Sequence, residues 1–242
     1  MNLIRHLAII ALVLNASSQP LRSAVPESAR SREVIARVTP QLAKALRSLG
    51  FRFGDPVFMR VFKESKELEV WVKNGRTFKL FRKYPIHYFS GNLGPKLKEG
   101  DRQEPEGFYY VSPTRMNPHS RFHLSFNLGY PNKYDRIRER TGSALMVHGS
   151  TVSIGCFAMT DQRIEEIYTL SHGALSSGQK FFRVHIFPFR MTAAAMKEHI
   201  DPKWRNFWMN LKEGYDLFEK TRLPPNVEVE NKRYVFDIRT TD

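Results

Sequence analysis

His148-Gly149-Ser150-Thr151-Val152-Ser153-Ile154-Gly155-Cys156-Phe157-Ala158-Met159-Thr160-Asp161 carries the only cysteine of the 242-residue chain. Residues 144–148 before it read as a strand. Thr160 after it reads as the cap of a helix with Ile164, Ile167, Tyr168 and Leu175 on one face. The thiol therefore sits in a short glycine-containing loop between a strand end and a helix start. A lone cysteine has no intramolecular disulfide partner and cannot build a structural zinc site. It is either an inert buried residue or a reactive one. His148 lies eight positions upstream, close enough for the chain to double back and bring the imidazole to the sulfur. Gly155 lets backbone approach a substrate closely. The amides of Gly155, Cys156 and Phe157 offer donors for a tetrahedral oxyanion, where one such donor is worth about 3 to 4 kcal/mol in other enzymes. Together these are the parts of an acyl-transfer site: thiolate attack, acyl-enzyme, release to an amine or to water. A buried cysteine beside a core histidine is the alternative reading of the same spacing.

Upstream, residues 33–49 place Val34, Ile35, Val38, Leu42, Ala45, Leu46 and Leu49 on a helical stripe, with Thr39-Pro40 expected to restart the helix and Gly50 to end it. From Pro56 the period changes. Residues 57–62, 68–72 and 77–81 are β-branched and aromatic, and Asn74-Gly75 is a hairpin signal, so an antiparallel meander is expected. The glycine- and proline-punctuated segment 84–118 is expected to be a loop followed by a strand at 107–112, and 122–128 is a further strand. Downstream, residues 181–187 return as a strand. From Pro202, Trp204, Phe207, Trp208, Leu211, Tyr215 and Phe218 share one helical face, which reads as core packing against the sheet. Residues 227–238 close the chain as a strand pair or edge strand. The expected fold class is mainly β with flanking helices, an α+β arrangement in a curved sandwich.

Residues 1–24 have the parts of a secretory signal: Arg5 and His6, an apolar run from Leu7 to Leu14, then small polar residues with cleavage candidates at Ser18 and Ala24. The run falls short of the ~20 residues that span a bilayer, so no stable membrane anchor is expected. The formal charge of +14 calls for an anionic partner. Nucleic acid, anionic lipid and anionic cell-wall polymer all fit the charge, but the basic residues are scattered rather than clustered, and export argues against nucleic acid. The histidines His87, His119, His123, His172 and His185 show no ligand spacing with carboxylates, so no metal is expected. His185 alternates within an apolar strand and reads as a satisfied core histidine, and Asp161 as a helix-start residue.

The motif His148-Gly149 followed by Ser153-Ile154-Gly155-Cys156 resembles the signature of the L,D-transpeptidase (YkuD-type) catalytic domain family. Lys73-Asn74-Gly75-Arg76, Tyr84-Pro85-Ile86, Gly94-Pro95-Lys96, Glu99-Gly100-Asp101 and Pro105-Glu106-Gly107-Phe108-Tyr109 resemble that family's upstream strands and substrate-side loop. Phe126-Asn127-Leu128-Gly129-Tyr130-Pro131-Asn132 and Phe187-Pro188-Phe189-Arg190-Met191-Thr192 resemble its YafK-type subgroup. Two features depart from the commonest members: no arginine follows the cysteine, where Phe157-Ala158-Met159 stands, and the loop from His148 to Cys156 is short. Both agree with the subgroup. The first removes a natural carboxylate clamp and leaves the acceptor open.

The resemblance implies Cys156 as nucleophile, His148 as base, the Gly149 carbonyl as the group orienting that imidazole, and the Gly155 and Cys156 amides as oxyanion donors. Ser153, Tyr130 and Arg190 are candidate substrate contacts. It implies a periplasmic enzyme without cofactor, acting on peptidoglycan stem peptides at the meso-diaminopimelate centre. The acyl group goes either to an amine (transpeptidation) or to water, the latter releasing a murein-linked lipoprotein. The expected organisation is a signal over 1–24, an N-terminal helical segment over 25–55, the catalytic domain over 56–192, and a C-terminal helix and strand over 193–242 packed on the same domain. The rivals are a non-catalytic murein binder that keeps the fold and a secreted binder driven by charge alone.

Overall fold

The computed structural model describes residues 24–199 and 201–238; the expected signal falls almost wholly in 1–23, outside the described residues. Helix α1 (Ala29–Ser48) begins four residues earlier than its apolar stripe suggested. Ser28 and Ser31 form a reciprocal capping box, Ser31 N–H to Ser28 Oγ at 3.1 Å and Ser28 N–H to Ser31 Oγ at 2.8 Å. The expected restart at Thr39-Pro40 does not occur, and the helix runs through Pro40. Proline inside a helix costs about 3 kcal/mol or more. The buried stripe Val34, Val38, Leu42 and Leu46 offsets this, at about 1.5 to 3 kcal/mol per side chain.

Strands β1 (Val57–Phe62), β2 (Glu67–Asn74) and β3 (Thr77–Pro85) form the expected meander, closed at Asn74↔Thr77 by Gly75 at φ +60°. The rest of the chain supplies β4 (Gly107–Val111), β5 (Met116–Asn117), β6 (Ser125–Asn127), α2 (Lys133–Ile137), β7 (Met146–His148), β8 (Phe157–Ala158), α3 (Asp161–Ser176), β9 (Phe182–Phe187), α4 (Ala193–Glu198), α5 (Arg205–Thr221), β10 (Asn226–Glu230) and β11 (Arg233–Asp237). Strand β9 inserts between β1 and β4, parallel to β1, giving a five-stranded sheet of order β3-β2-β1-β9-β4. A second sheet of order β5-β6-β7-β8 ends in the parallel pair β7–β8. The strands expected over 122–128 and 144–148 contract to three residues each.

Every residue of β1 is buried, because both faces of the larger sheet are covered. On one face, Val57, Met59 and Val61 join one core with α1, with Ile164, Ile167 and Tyr168 of α3, and with the second sheet. On the other, Phe62, Phe108 and Phe187 meet Phe207, Trp208, Leu211 and Tyr215 of α5 and Tyr234 of the β10–β11 hairpin. The aromatic stripe of α5 is thus core, and the architecture is the α+β sandwich with flanking helices. Thr160 occupies the N-cap position of α3 but at φ +74°, with its side chain making no cap bond, contrary to the expected cap. His185 is buried among the rings of Phe58 and Phe108, each 4.7 Å away, and neither ring nitrogen has a partner, so it is a core histidine but not a satisfied one. Burial holds its imidazole neutral. Among the described residues no helix is long and apolar enough to cross a membrane.

Lys63 and Glu106 form an ion pair at 3.1 Å with both side chains fully buried. Glu106 Oε1 also accepts the Gly94 amide at 2.6 Å, Oε2 accepts Trp208 Nε1–H at 2.9 Å, and Lys63 Nζ donates to Gly94 O at 2.7 Å. Removing one partner of such a pair leaves a bare buried charge. Lys63→Met is expected to lower stability by about 3 to 5 kcal/mol in urea unfolding, with a loss under about 1 kcal/mol contradicting this account.

Candidate active site

The parallel register pairs Val147 with Phe157 and His148 with Ala158. Val147 and Phe157 are fully buried on the core face, so Met146 and His148 of β7 and Ala158 of β8 share the opposite face. One residue before that register, the Met146 amide donates to Cys156 Sγ at 3.4 Å. Cys156 directly precedes β8, and this bond holds its sulfur at the start of β7, the strand that ends in His148.

His148 is 2% exposed, with the Phe122 ring tilted over it at 4.8 Å. Its Nδ1 lies 2.5 Å from Gly149 O. A carbonyl only accepts, so Nδ1 carries the hydrogen and Nε2 keeps its lone pair. Burial pushes the imidazole pKa down, against a smaller upward pull from the Gly149 carbonyl, so the ring is neutral at pH 7. Gly149 itself is locked: its amide lies 3.1 Å from both Phe122 O and Leu124 O, and Met159 N–H donates to His148 O at 2.8 Å. Asp161, at the start of α3, accepts the Ser150 amide at 2.7 Å. That bond, with Thr160 N–H to Ser150 O at 3.0 Å, holds Ser150 at φ +64°, a left-handed conformation uncommon outside glycine.

The Cys156 thiol is pushed up chiefly by burial. The Met146 amide pulls it down, Glu104 pushes it up, and Lys96 and Ser153 pull it down. The free site thus holds a neutral thiol. The two amides expected as oxyanion donors already have partners: Gly155 N–H donates to Ser90 Oγ at 2.9 Å and Cys156 N–H to Ser153 Oγ at 2.9 Å. The Ser153 hydroxyl donates onward to Cys156 O at 2.6 Å, so its bonds lie within the loop. Gly155 is required by its φ of +83°. The loop's Val152 and Ile154 are 61% and 75% exposed, an apolar rim beside the thiol.

A wall formed by residues 87–106 faces this loop. Tyr88 bridges β8 through Ala158 N–H to Tyr88 O at 3.0 Å. Glu104 is fully buried, its Oε1 accepting the Ser90 amide at 2.8 Å, and burial raises its carboxyl to about 7. Lys96 pairs with Asp101 at 2.6 Å. Tyr130 is buried, with its hydroxyl donating to Lys96 O at 3.3 Å, and sits in a packed loop behind the wall. Arg190 is engaged by Glu67 at 2.5 Å and Glu69 at 2.9 Å and stacks over Phe62, so its guanidinium is already paired. Ser90, Glu104 and Phe122 are the site residues that sequence reasoning missed. The Ser90 bond to Gly155 spans 65 positions, and no local pattern announces it. Among the described residues no group of three His, Cys, Asp or Glu side chains could hold a metal ion.

A methyl group on Gly149 would lie 2.6 Å from Asp161 Oδ1 and 2.9 Å from the backbone oxygen of Phe122. Gly149→Ala is expected to cost about 1 to 3 kcal/mol and to displace the carbonyl that fixes His148, read as a lowered Tm and a shifted His148 ring resonance. An unchanged melt and ring shift would refute the packing.

The L,D-transpeptidase catalytic domain family, YkuD, matches residues 57–186, from β1 to β9. The chain is 49% identical over 182 residues to the "Putative L,D-transpeptidase YafK" of Escherichia coli K12, covering 75% of this chain and 74% of that protein, with the same figures for the O157:H7 strain. Among solved structures it is similar to the helical cell shape determining protein Pgp2 of Campylobacter jejuni, at 17% identity and TM-score 0.44, over 78% of this chain and 80% of that one. The family match covers more than half of the chain and contains both His148 and Cys156, and the chain belongs to the L,D-transpeptidase catalytic domain family.

Proposed function

We propose that this chain is an exported cysteine acyl-transfer enzyme that acts at the meso-diaminopimelate centre of peptidoglycan stem peptides, with residues 56–192 as its catalytic unit and 193–242 packed on it. The observation that supports the reading is the parallel pairing of β7 with β8: it brings His148, its tautomer fixed by Gly149 O, and the Cys156 thiol, bonded by the Met146 amide, onto neighbouring segments of one sheet edge. A neutral imidazole with a free lone pair on Nε2 is the protonation state a general base needs. In the proposed reaction Nε2 takes the Sγ proton as sulfur attacks the carbonyl at the diaminopimelate centre. The tetrahedral oxyanion collapses with protonation of the leaving amine by His148, leaving a thioester on Cys156. An acceptor amine or water then attacks with His148 again as base, giving a new cross-link or a trimmed stem. Hydrolysis of this kind would release a wall-linked lipoprotein. Stabilising the oxyanion requires the Gly155 and Cys156 amides to exchange their serine oxygens for the substrate's.

The net charge of +14 supports retention on an anionic sacculus, which salt-dependent pelleting with purified sacculi measures. The charge account fails if salt has no effect. Incubation with defined muropeptides and lipoprotein-linked sacculi, read by mass spectrometry, tests the reaction. Dimers joined through two diaminopimelate residues indicate transpeptidation, and trimmed stems or released lipoprotein indicate hydrolysis. Cys156→Ser is expected to abolish turnover, and full turnover in that variant would sink the reading in favour of a binder.

The pH dependence follows from the two shifts. His148, with its pKa below the ordinary imidazole value, serves as base above that pKa and is lost as pH falls through it. Turnover is therefore expected not to fall between pH 7 and the lower end of the usual histidine range, and His148→Ala to slow it by about 100-fold or more. A fall centred at or above the ordinary imidazole value would contradict the burial account.

A further inference from the structure

Glu104 is a carboxylic acid that the proposed reaction does not use, fully buried beneath the thiol loop. Its Oε1 accepts the Ser90 amide at 2.8 Å and lies 3.2 Å from the Ser90 hydroxyl. Its Oε2 is buried with no hydrogen-bond partner among the described residues. Ser90 Oγ in turn accepts the Gly155 amide at 2.9 Å, so an unbroken chain runs from the carboxyl through one hydroxyl to a candidate oxyanion donor.

The Ser90 hydroxyl has one hydrogen and two acceptors in reach, Glu104 Oε1 and, at 2.8 Å, Arg102 O. A hydroxyl donating to a carboxylate is polarised and becomes a stronger acceptor for the amide behind it. Donation to a peptide carbonyl has the weaker effect. We propose that Glu104 is a positioning residue for the thiol site: ionised, it holds Ser90 on the Gly155 amide, and with a proton on Oε2 it loosens that hold and lets the amide turn to a substrate oxygen. The inference rests on the acyl-transfer reading of Cys156 for its functional meaning, though not for its physical test.

The charges around Glu104 are few. From just past β1, the Lys63 ammonium lies 3.5 Å from the Glu104 backbone oxygen and is committed to the Glu106 carboxylate. From the loop before β8 comes the Cys156 thiol, which Glu104 pushes up and Lys96 pulls down. Burial outweighs Lys63 and the Ser90 bonds, and the carboxyl titrates at about 7. Below that pH Glu104 is neutral, the Gly155 amide is loosely held, and the negative charge opposing a thiolate is absent. Above it, both effects reverse. The two consequences act in the same direction on the reaction.

The test is a pH titration of the Gly155 amide proton by NMR in the parent protein, Glu104→Gln and Ser90→Ala. The expected result is an amide shift that titrates near 7 in the parent and is flat in both variants. A parent amide that does not titrate, or a titration that survives undiminished in Ser90→Ala, overturns the proposal. Ser90 is half-exposed, so this variant reads the relay even if Glu104→Gln fails to fold. A second readout is the rate of Cys156 alkylation by iodoacetamide. Its logarithm should flatten against pH near 7 in the parent, and rise without that step in Glu104→Gln, about threefold or more faster at pH 8. Coincident parent and Glu104→Gln profiles count against the proposal. Failure of the acyl-transfer reading would appear separately, as muropeptide turnover retained by Cys156→Ser, and would leave the Gly155 titration in place.

Discussion

The Glu106 carboxylate gathers three donors from three distant parts of the chain: the Lys63 ammonium just past β1, the Gly94 amide in the wall, and the Trp208 indole of α5. A carboxylate with no solvent contact is stable only when its charge and its lone pairs are all met. The wall opposite the thiol loop cannot swing away without stripping one of these donors. Gly94 is held so closely under Trp204 that a Cβ there would lie 2.5 Å from the indole nitrogen. Through this one carboxylate the C-terminal helix, which touches neither His148 nor Cys156, fixes the side of the site that they face. Replacing the pair with apolar side chains of similar volume could preserve stability, but it would lose the directional bonds that set the wall's position.

The same logic repeats at smaller scale around the loop. Asp161 takes the Ser150 amide, Gly149 sits under Phe122 O, and Ser90 reaches across from the wall to Gly155. Left-handed backbone at Ser150 and Thr160, on either side of the cysteine, persists because these bonds over-determine it. The loop is thus held from both sides, by α3 and by the wall. Its exposed apolar tip, Val152 and Ile154, is the part left unpaired by packing.

Local patterns made the meander, the α5 stripe and the His148–Cys156 segment legible, because each is written in residues a few positions apart. Asn74-Gly75 needs only its own turn geometry, and the α5 face needs only its three- and four-residue steps. What could not be read was whatever depends on distant partners. The α1 stripe gave no sign that tertiary burial would carry a helix through Pro40. The run 181–187 read as a strand, but nothing in it says that it inserts between β1 and β4 or runs parallel to β1. Arg190 looked free in sequence, yet it is held by Glu67 and Glu69 more than 120 positions away. Ser153 reads equally well as a substrate contact or a loop hydrogen-bonder, and its bonds in this structure close on Cys156.

Burial acts on the two central groups in opposite directions, lowering the His148 pKa and raising that of Cys156. The separation disfavours a thiolate–imidazolium pair in the free site, since both charged forms lose hydration. A nucleophile prepared in advance as an ion pair, as in thiol sites with a strongly depressed cysteine pKa, does not match these shifts. They match a proton that moves as the carbon–sulfur bond forms, with charge passing directly to the substrate oxygen. That places the demand on the oxyanion donors rather than on the resting thiol. Both candidate donors are occupied by serine hydroxyls at rest, so the energy of binding the substrate carbonyl must exceed that of two neutral hydrogen bonds, each worth about 0.5 to 1.5 kcal/mol net. A neutral carbonyl barely meets that cost, whereas a charged oxyanion, with hydrogen bonds roughly twice as strong, exceeds it. In the proposed reaction the amides would then be drawn from serine to substrate mainly as the transition state develops, which is the kind of differential binding that accelerates a chemical step rather than merely tightening the ground state.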